Sequence, residues 1–238
     1  MKSKDTLDKQ HAGHDEDQMH RLLRGLINFK TELAPTMRPL FKDLSHGQEP
    51  ELLLISCSDS RVVPHLLTSE EPGDVFVVRS VGNIVAPAGQ SGFSVGDVSE
   101  ASAIEYGVEV LGIRDIAVCG HSNCGAMKAV LDGREKLATL APNLVAWLEH
   151  GEAARTRLKL SDFIDPKLPE VDRLSQANVL QQLDHVASYA PIAKRKGEIR
   201  LHALWFDIAK TMVSLYEADR GRFVALDEQE IGRLLSAR

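Results

Sequence analysis

"ELLLISCSDSR", residues 51–61, runs an unbroken apolar stretch straight into a thiol, a carboxylate and a guanidinium. A strand with one face in water alternates apolar and polar residues, whereas a continuous run marks a strand buried on both faces, as in a parallel sheet. If the chain stays extended past Cys57, residues 57, 59 and 61 point to the same side. Cys57, Asp59 and Arg61 then share one strand end. That is a costly grouping for a packing element, and it suggests a site. A plain surface ion pair between Asp59 and Arg61 is the alternative.

Working outward, the same logic recurs. "DVFVVRSV" (74–81) and "DIAVCG" (115–120) read as further strands, and "HSNCGAMKAVLDG" (121–133) turns directly into a helix. "EASAIEYGVEVLG" (100–112) places Ile104, Val108 and Leu111 at helical spacing and ends at Gly112, a suitable residue after a helix C-cap. Residues 135–150 and 168–190 are expected to be helical, separated by the polar linker "SDFIDPKLPE" (161–170). "EIRLHALWFDIA" (198–209), "MVSLYEA" (212–218) and "GRFVALD" (221–227) read as strands or a hairpin. Strands alternating with helices predict an α/β fold: a mostly parallel central sheet flanked by helices.

Upstream, residues 17–44 carry a helical pattern through Leu22, Leu23, Leu26, Ile27 and Phe29, which Pro35 is expected to interrupt. This arm is expected to pack on a neighbour. Residues 1–17 read as a flexible polar tail, its His11 and His14, with nearby His20, solvated rather than metal-binding. Residues 18–238 read as a single domain that includes the arm.

An apolar content of 43% with 26% charged residues fits a globular chain, and a net charge of −6 without a basic run argues against nucleic acid as a partner. No segment reaches the roughly 20 apolar residues of a membrane span, and the N-terminus lacks the apolar core of a signal peptide. Three cysteines are too few for a disulfide scaffold. A cytoplasmic location, with thiols free for metal, is the resulting expectation.

Ligand sites in open parallel sheets form beyond the carboxyl ends of the strands. Cys57 closes one predicted strand there, and His121 and Cys124 follow another. Two thiolates and an imidazole leave one tetrahedral position of zinc open, the pattern of a catalytic site. Cys119 lies within its strand and is expected in the core. A redox dithiol has no C-x-x-C to support it. A structural zinc with Asp59 as fourth ligand stays open, as would suit an interaction protein.

"CSDSRVVP", "GDVFVVRSVGNI", "AIEYGV" and "CGHSNCGAMKAV" together closely resemble the β-class carbonic anhydrases, over residues 20–225. The resemblance implies one Zn2+ per chain on Cys57, His121 and Cys124, with Asp59 and Arg61 as the catalytic pair and Asp59 as an alternative fourth ligand in a closed state. It implies reversible hydration of carbon dioxide to bicarbonate and a proton by zinc-hydroxide attack; carbonyl sulfide or carbon disulfide hydrolysis is the alternative. The plant-like branch implies a substrate pocket of Gln48, Phe76, Val81 and Tyr106. It also implies an antiparallel C-terminal edge strand and a homodimer or higher homo-oligomer. A second branch has an inhibitory bicarbonate site requiring Trp three residues before the first cysteine. Leu54 stands there, so that site is not expected. Ser80 replaces the commoner Asn of "VRSVGN", and His65 reads as an ordinary loop histidine rather than a proton shuttle.

Overall fold

The computed structural model describes residues 17–160 and 164–236; most of the polar tail, with His11 and His14, lies outside them. The chain divides into two compact units, residues 1–47 and 48–238.

The first unit is helical. Asp17 accepts a hydrogen bond from the Met19 backbone N–H at 3.2 Å and caps a helix over Gln18–Asn28. The regular α-helix is interrupted just before Pro35, as expected, but the chain stays helical through it. Phe29–Leu33 form one wider π-helical turn, closed by the Ala34 N–H on Phe29 O, and Ala34–Leu44 continue as α-helix. A proline ring collides with the carbonyl four residues back in a regular helix. The wide turn just before it moves that carbonyl aside, and the helix survives.

The second unit is built on a six-stranded sheet of order β2-β1-β3-β4-β5-β6. The strands are β1 (Leu52–Cys57), β2 (Val75–Ser80), β3 (Asp115–His121), β4 (Arg200–Asp207), β5 (Met212–Glu217) and β6 (Arg222–Ala225). β1 pairs in parallel with both β2 and β3, and β3 in parallel with β4. β5 and β6 are added antiparallel, so the edge holds two such strands rather than one.

β1 is an interior strand, paired on both sides and covered on both faces, which explains its continuous apolar run. Leu53 and Ile55 join one core with Ile116, Val118, Val179 and Trp205, while Leu54 packs with Ala117, Cys119 and Phe206 in another. Fully burying each such side chain is worth about 1.5–3 kcal/mol. Cys119 is core, as expected, and burial pushes its thiol up to about 12.

Residues 135–150 are not one helix. A 3-10 turn at Arg134–Leu137, helices at Pro142–Leu148 and Ala153–Lys159 and a 3-10 turn at Glu149–Gly151 replace it. Pro142 starts its helix because it lacks the N–H needed further inside. Gly151 lets this turn pack closely, since a Cβ there would lie 3.3 Å from Ile84 Cδ1.

The Glu170–Ala187 helix packs on β3 and β4 and is buried along most of its length. Its approach to the sheet depends on Gly120 of β3. A Cβ at that position would sit 2.5 Å from Val179 Cγ2 and 3.2 Å from Ser175 Oγ. Gly120→Ala is therefore expected to destabilise the protein by about 1–3 kcal/mol through overpacking. Urea unfolding of the purified variant checks this, and an unchanged midpoint would contradict the close packing.

Candidate metal centre

Parallel pairing puts the carboxyl ends of β1 and β3 side by side, and the candidate ligands lie there. Cys57 is the last residue of β1, His121 the last of β3, and Cys124 immediately precedes the Gly125–Asp132 helix. Their ligand atoms all lie within 4.8 Å of one another, and all three residues are buried.

The imidazole is oriented for this role. His121 Nδ1 lies 2.9 Å from Ser122 O, a carbonyl that can only accept, so Nδ1 carries the proton. Nε2 keeps its lone pair, is buried, and has no hydrogen-bond partner. A buried orphan acceptor facing two thiols is costly in an empty pocket. A metal ion removes that cost. The soft sulfur and imidazole donors suit zinc.

The thiols are polarised against each other. The Cys124 thiol pulls Cys57 well below the usual thiol range, against burial, and His121 and the backbone N–H groups of Asp59 and Gly82 lower it further. Those N–H groups lie 3.4 and 3.3 Å from its Sγ. The same contact, with burial, pushes Cys124 up. A metal ion held by Cys57 and Cys124 would favour the thiolate form of both.

Asp59 and Arg61 form a bidentate pair beside the ligands. Arg61 Nε donates to Oδ1 at 2.9 Å and Nη2 to Oδ2 at 2.8 Å, and the Arg61 backbone N–H adds a third bond at 3.0 Å. The guanidinium holds the Asp59 carboxyl well below the usual range. Asp59 Oδ2 is 3.8 Å from His121 Nε2, so the carboxylate borders the ligand set.

A cavity of about 650 Å3 opens over this group, lined by Cys57, Asp59, Val81, Ala126, Leu144 and residues farther along the Gly125–Asp132 helix.

A family model described as carbonic anhydrase matches residues 52–213. A carbonic anhydrase of Pseudomonas aeruginosa is 38% identical over 214 residues, covering 88% of this chain and 93% of that protein. One from Synechocystis sp. is 40% identical over 210 residues, covering 87% and 74%. Among solved structures, the β-carbonic anhydrase CcaA superposes with a TM-score of 0.79 at 37% identity, covering 89% of this chain and 93% of that one. A structure from Sordaria macrospora, described as a tetrameric β-carbonic anhydrase, has a TM-score of 0.69 at 30% identity and coverage of 84% and 97%. The chain belongs to the β-class carbonic anhydrase family.

In this carbonic anhydrase chain the four pocket residues implied by the resemblance do not gather. Val81 lines the cavity. Phe76 does not: Cys57 pairs with Ser80, and Phe76 stands four residues upstream on β2, about 13 Å along the strand at ~3.3 Å per residue. It packs instead on Tyr106, ring centroids 5.9 Å apart. Tyr106 opens the π-helical turn Tyr106–Val110, is half-exposed and borders a different cavity, with Phe93 and Pro191. Gln48 is exposed and not on the wall.

Several residues that organise the centre were given no role by the sequence. Arg79 donates to the backbone carbonyls of Cys57, Asp59 and Val62, tying the turn after β1. Ser80 donates to Ile84 O at 2.7 Å, closing the loop whose Gly82 N–H reaches Cys57. One seam of the Glu170–Ala187 helix is polar although buried. Asp172 accepts from Asn123 N–H, Ser175 donates to His121 O, Asn178 donates to Gly82 O, and Gln182 accepts from Val85 N–H. This seam fixes the His121–Cys124 loop and the segment after β2 whose Gly82 N–H reaches Cys57. Its signal in the sequence is the run of polar residues three or four apart in a helix that also buries Leu174, Ala177 and Val179.

Proposed function

We propose that this protein catalyses the reversible hydration of carbon dioxide to bicarbonate and a proton, using one zinc ion per chain held by Cys57, His121 and Cys124. The observation that carries this reading is the buried Nε2 of His121, which has no hydrogen-bond partner and shares a 4.8 Å cluster with the sulfurs of Cys57 and Cys124. Zinc bound there would lower the pKa of a water so that hydroxide is available near neutral pH; carbonic anhydrase with a three-histidine ligand set is itself the established example of that effect.

The donor set here differs in charge. Two thiolates neutralise the ion, where three imidazoles would leave its charge intact, so acidification relies more on neighbouring groups. Asp59, kept ionised by Arg61, is placed to accept a hydrogen bond from the attacking water and orient it. Val81, Ala126 and Leu144 offer an apolar wall to a small uncharged substrate. As the chain is arranged, Gln48, Phe76 and Tyr106 can serve that cavity only from a second copy.

A second copy is also what the surface asks for. Met19, Leu22, Leu23, Leu26 and Ile27 form one helical stripe, each about half exposed. Phe93, Val95, Val98 and Val110 are exposed in the second unit. Such apolar patches mark interaction surfaces, and the Sordaria relative is described as tetrameric. Analytical ultracentrifugation is expected to show a dimer or larger, with Leu23→Glu shifting it to smaller, less active species. A fully active monomer would overturn the oligomer.

The proposed activity is tested by stopped-flow carbon dioxide hydration with a pH indicator. Saturable hydration by the zinc-loaded protein supports it; a rate no higher than buffer refutes it. Among the described residues no helix is long and apolar enough to cross a membrane.

A further inference from the structure

We infer that Asp172 is a positioning residue for the Asp59–Arg61 pair, acting through the backbone of Asn123; the inference rests on the metal-site reading above. Asn123 lies between the ligands His121 and Cys124 and adopts a left-handed conformation, φ +52°. Asparagine tolerates this region better than most residues but also populates others, so a contact that holds it there narrows its choice. Asp172 supplies one: its Oδ1 accepts the Asn123 N–H at 2.6 Å.

The same residue faces the catalytic pair on its other side. Asn123 O accepts a hydrogen bond from Arg61 Nη2 at 3.1 Å. The remaining hydrogen bonds of the Arg61 side chain go to Asp59, two residues away, and cannot fix where the pair sits. The bond to Asn123 anchors the guanidinium to the neighbouring strand end. Asp172, Asn123, Arg61 and Asp59 thus form one chain of contacts, from a buried helix to the ligand set.

The chemistry of Asp172 fits this task better than simple satisfaction of an N–H. It is a charged residue only 8% exposed, and burying a carboxylate is expensive unless it is paired or hydrogen-bonded. Its place in the first turn of the Glu170–Ala187 helix offsets part of that cost through the helix dipole. A short, charge-assisted bond gives a stiffer restraint than a neutral acceptor. Without it, Asn123 can leave the left-handed region and carry its carbonyl away from Arg61. The Arg61 side chain, 43% exposed, is then free to turn to solvent. Asp59 Oδ2, already 3.8 Å from His121 Nε2, is left free to enter the ligand set.

The test uses full-length protein loaded with cobalt(II), whose visible spectrum reports a ligand exchanging at the open position, titrated with azide. Asp172→Ala is expected to keep one cobalt per chain and to weaken azide binding at least about fivefold, because Asp59 competes for the position. In an Asp59→Asn background the same replacement should change azide affinity by less than about twofold, since no carboxylate remains to compete. An equal loss in both backgrounds, or no loss in either, overturns the inference. Should Asp172→Ala not fold, Asp172→Asn takes its place, with a two- to threefold weakening expected and an unchanged affinity overturning the role. A wild-type protein that binds no cobalt at Cys57, His121 and Cys124 would instead overturn the metal-site reading, and this inference with it.

Discussion

Cys124→Ser is expected to lower bound zinc from about one per chain to below about a tenth, and carbon dioxide hydration with it, because a hydroxyl is a far poorer zinc ligand than a thiolate. The local fold should persist. Cys124 sits at the start of a helix whose Ala126, Met127 and Val130 are buried independently of the sulfur. Metal analysis and circular dichroism on one preparation separate the two effects. Full zinc occupancy in a folded Cys124→Ser protein would remove Cys124 from the ligand set.

The second large effect belongs to Arg61. Arg61→Ala is expected to cost about 10²–10³ in kcat, the range for removal of one group that stabilises charge in an active site. An exposed ion pair that served only stability would be worth about 0–1 kcal/mol, less than tenfold. The difference arises because Arg61 holds Asp59 ionised and away from the ligands through two side-chain bonds. Zinc content should remain near one per chain, since no ligand is touched. Steady-state hydration rates decide it: a loss below about tenfold would reduce the pair to a surface contact.

The Cys57, His121 and Cys124 cluster was legible in the sequence because these candidate ligands stand at the ends of uninterrupted apolar runs. A central parallel strand needs apolar residues on both faces, so "ELLLISC" and "DIAVCG" announce themselves, and the polar residues that follow fall at the carboxyl ends. The helix breaks between 134 and 160 were not legible, because apolar spacing there resembles one helix while Pro142 and the Glu149–Gly151 turn divide it. Pro35 was legible as an interruption, but the single wide turn that lets the helix continue was not. The supporting polar seam was hidden for another reason. Asp172, Asn178 and Gln182 find partners 49, 96 and 97 residues away, and no local pattern records such distant pairing. The positions of Phe76 and Tyr106 show the same limit. Family motifs name residues but do not say whether they meet within one chain.

The most direct test of the metal centre is to titrate metal-free protein with zinc and to follow carbon dioxide hydration and bound metal together. Activity is expected to rise in proportion to zinc and to stop at one ion per chain. Full activity without zinc, or full occupancy of Cys57, His121 and Cys124 with no hydration, would contradict the account.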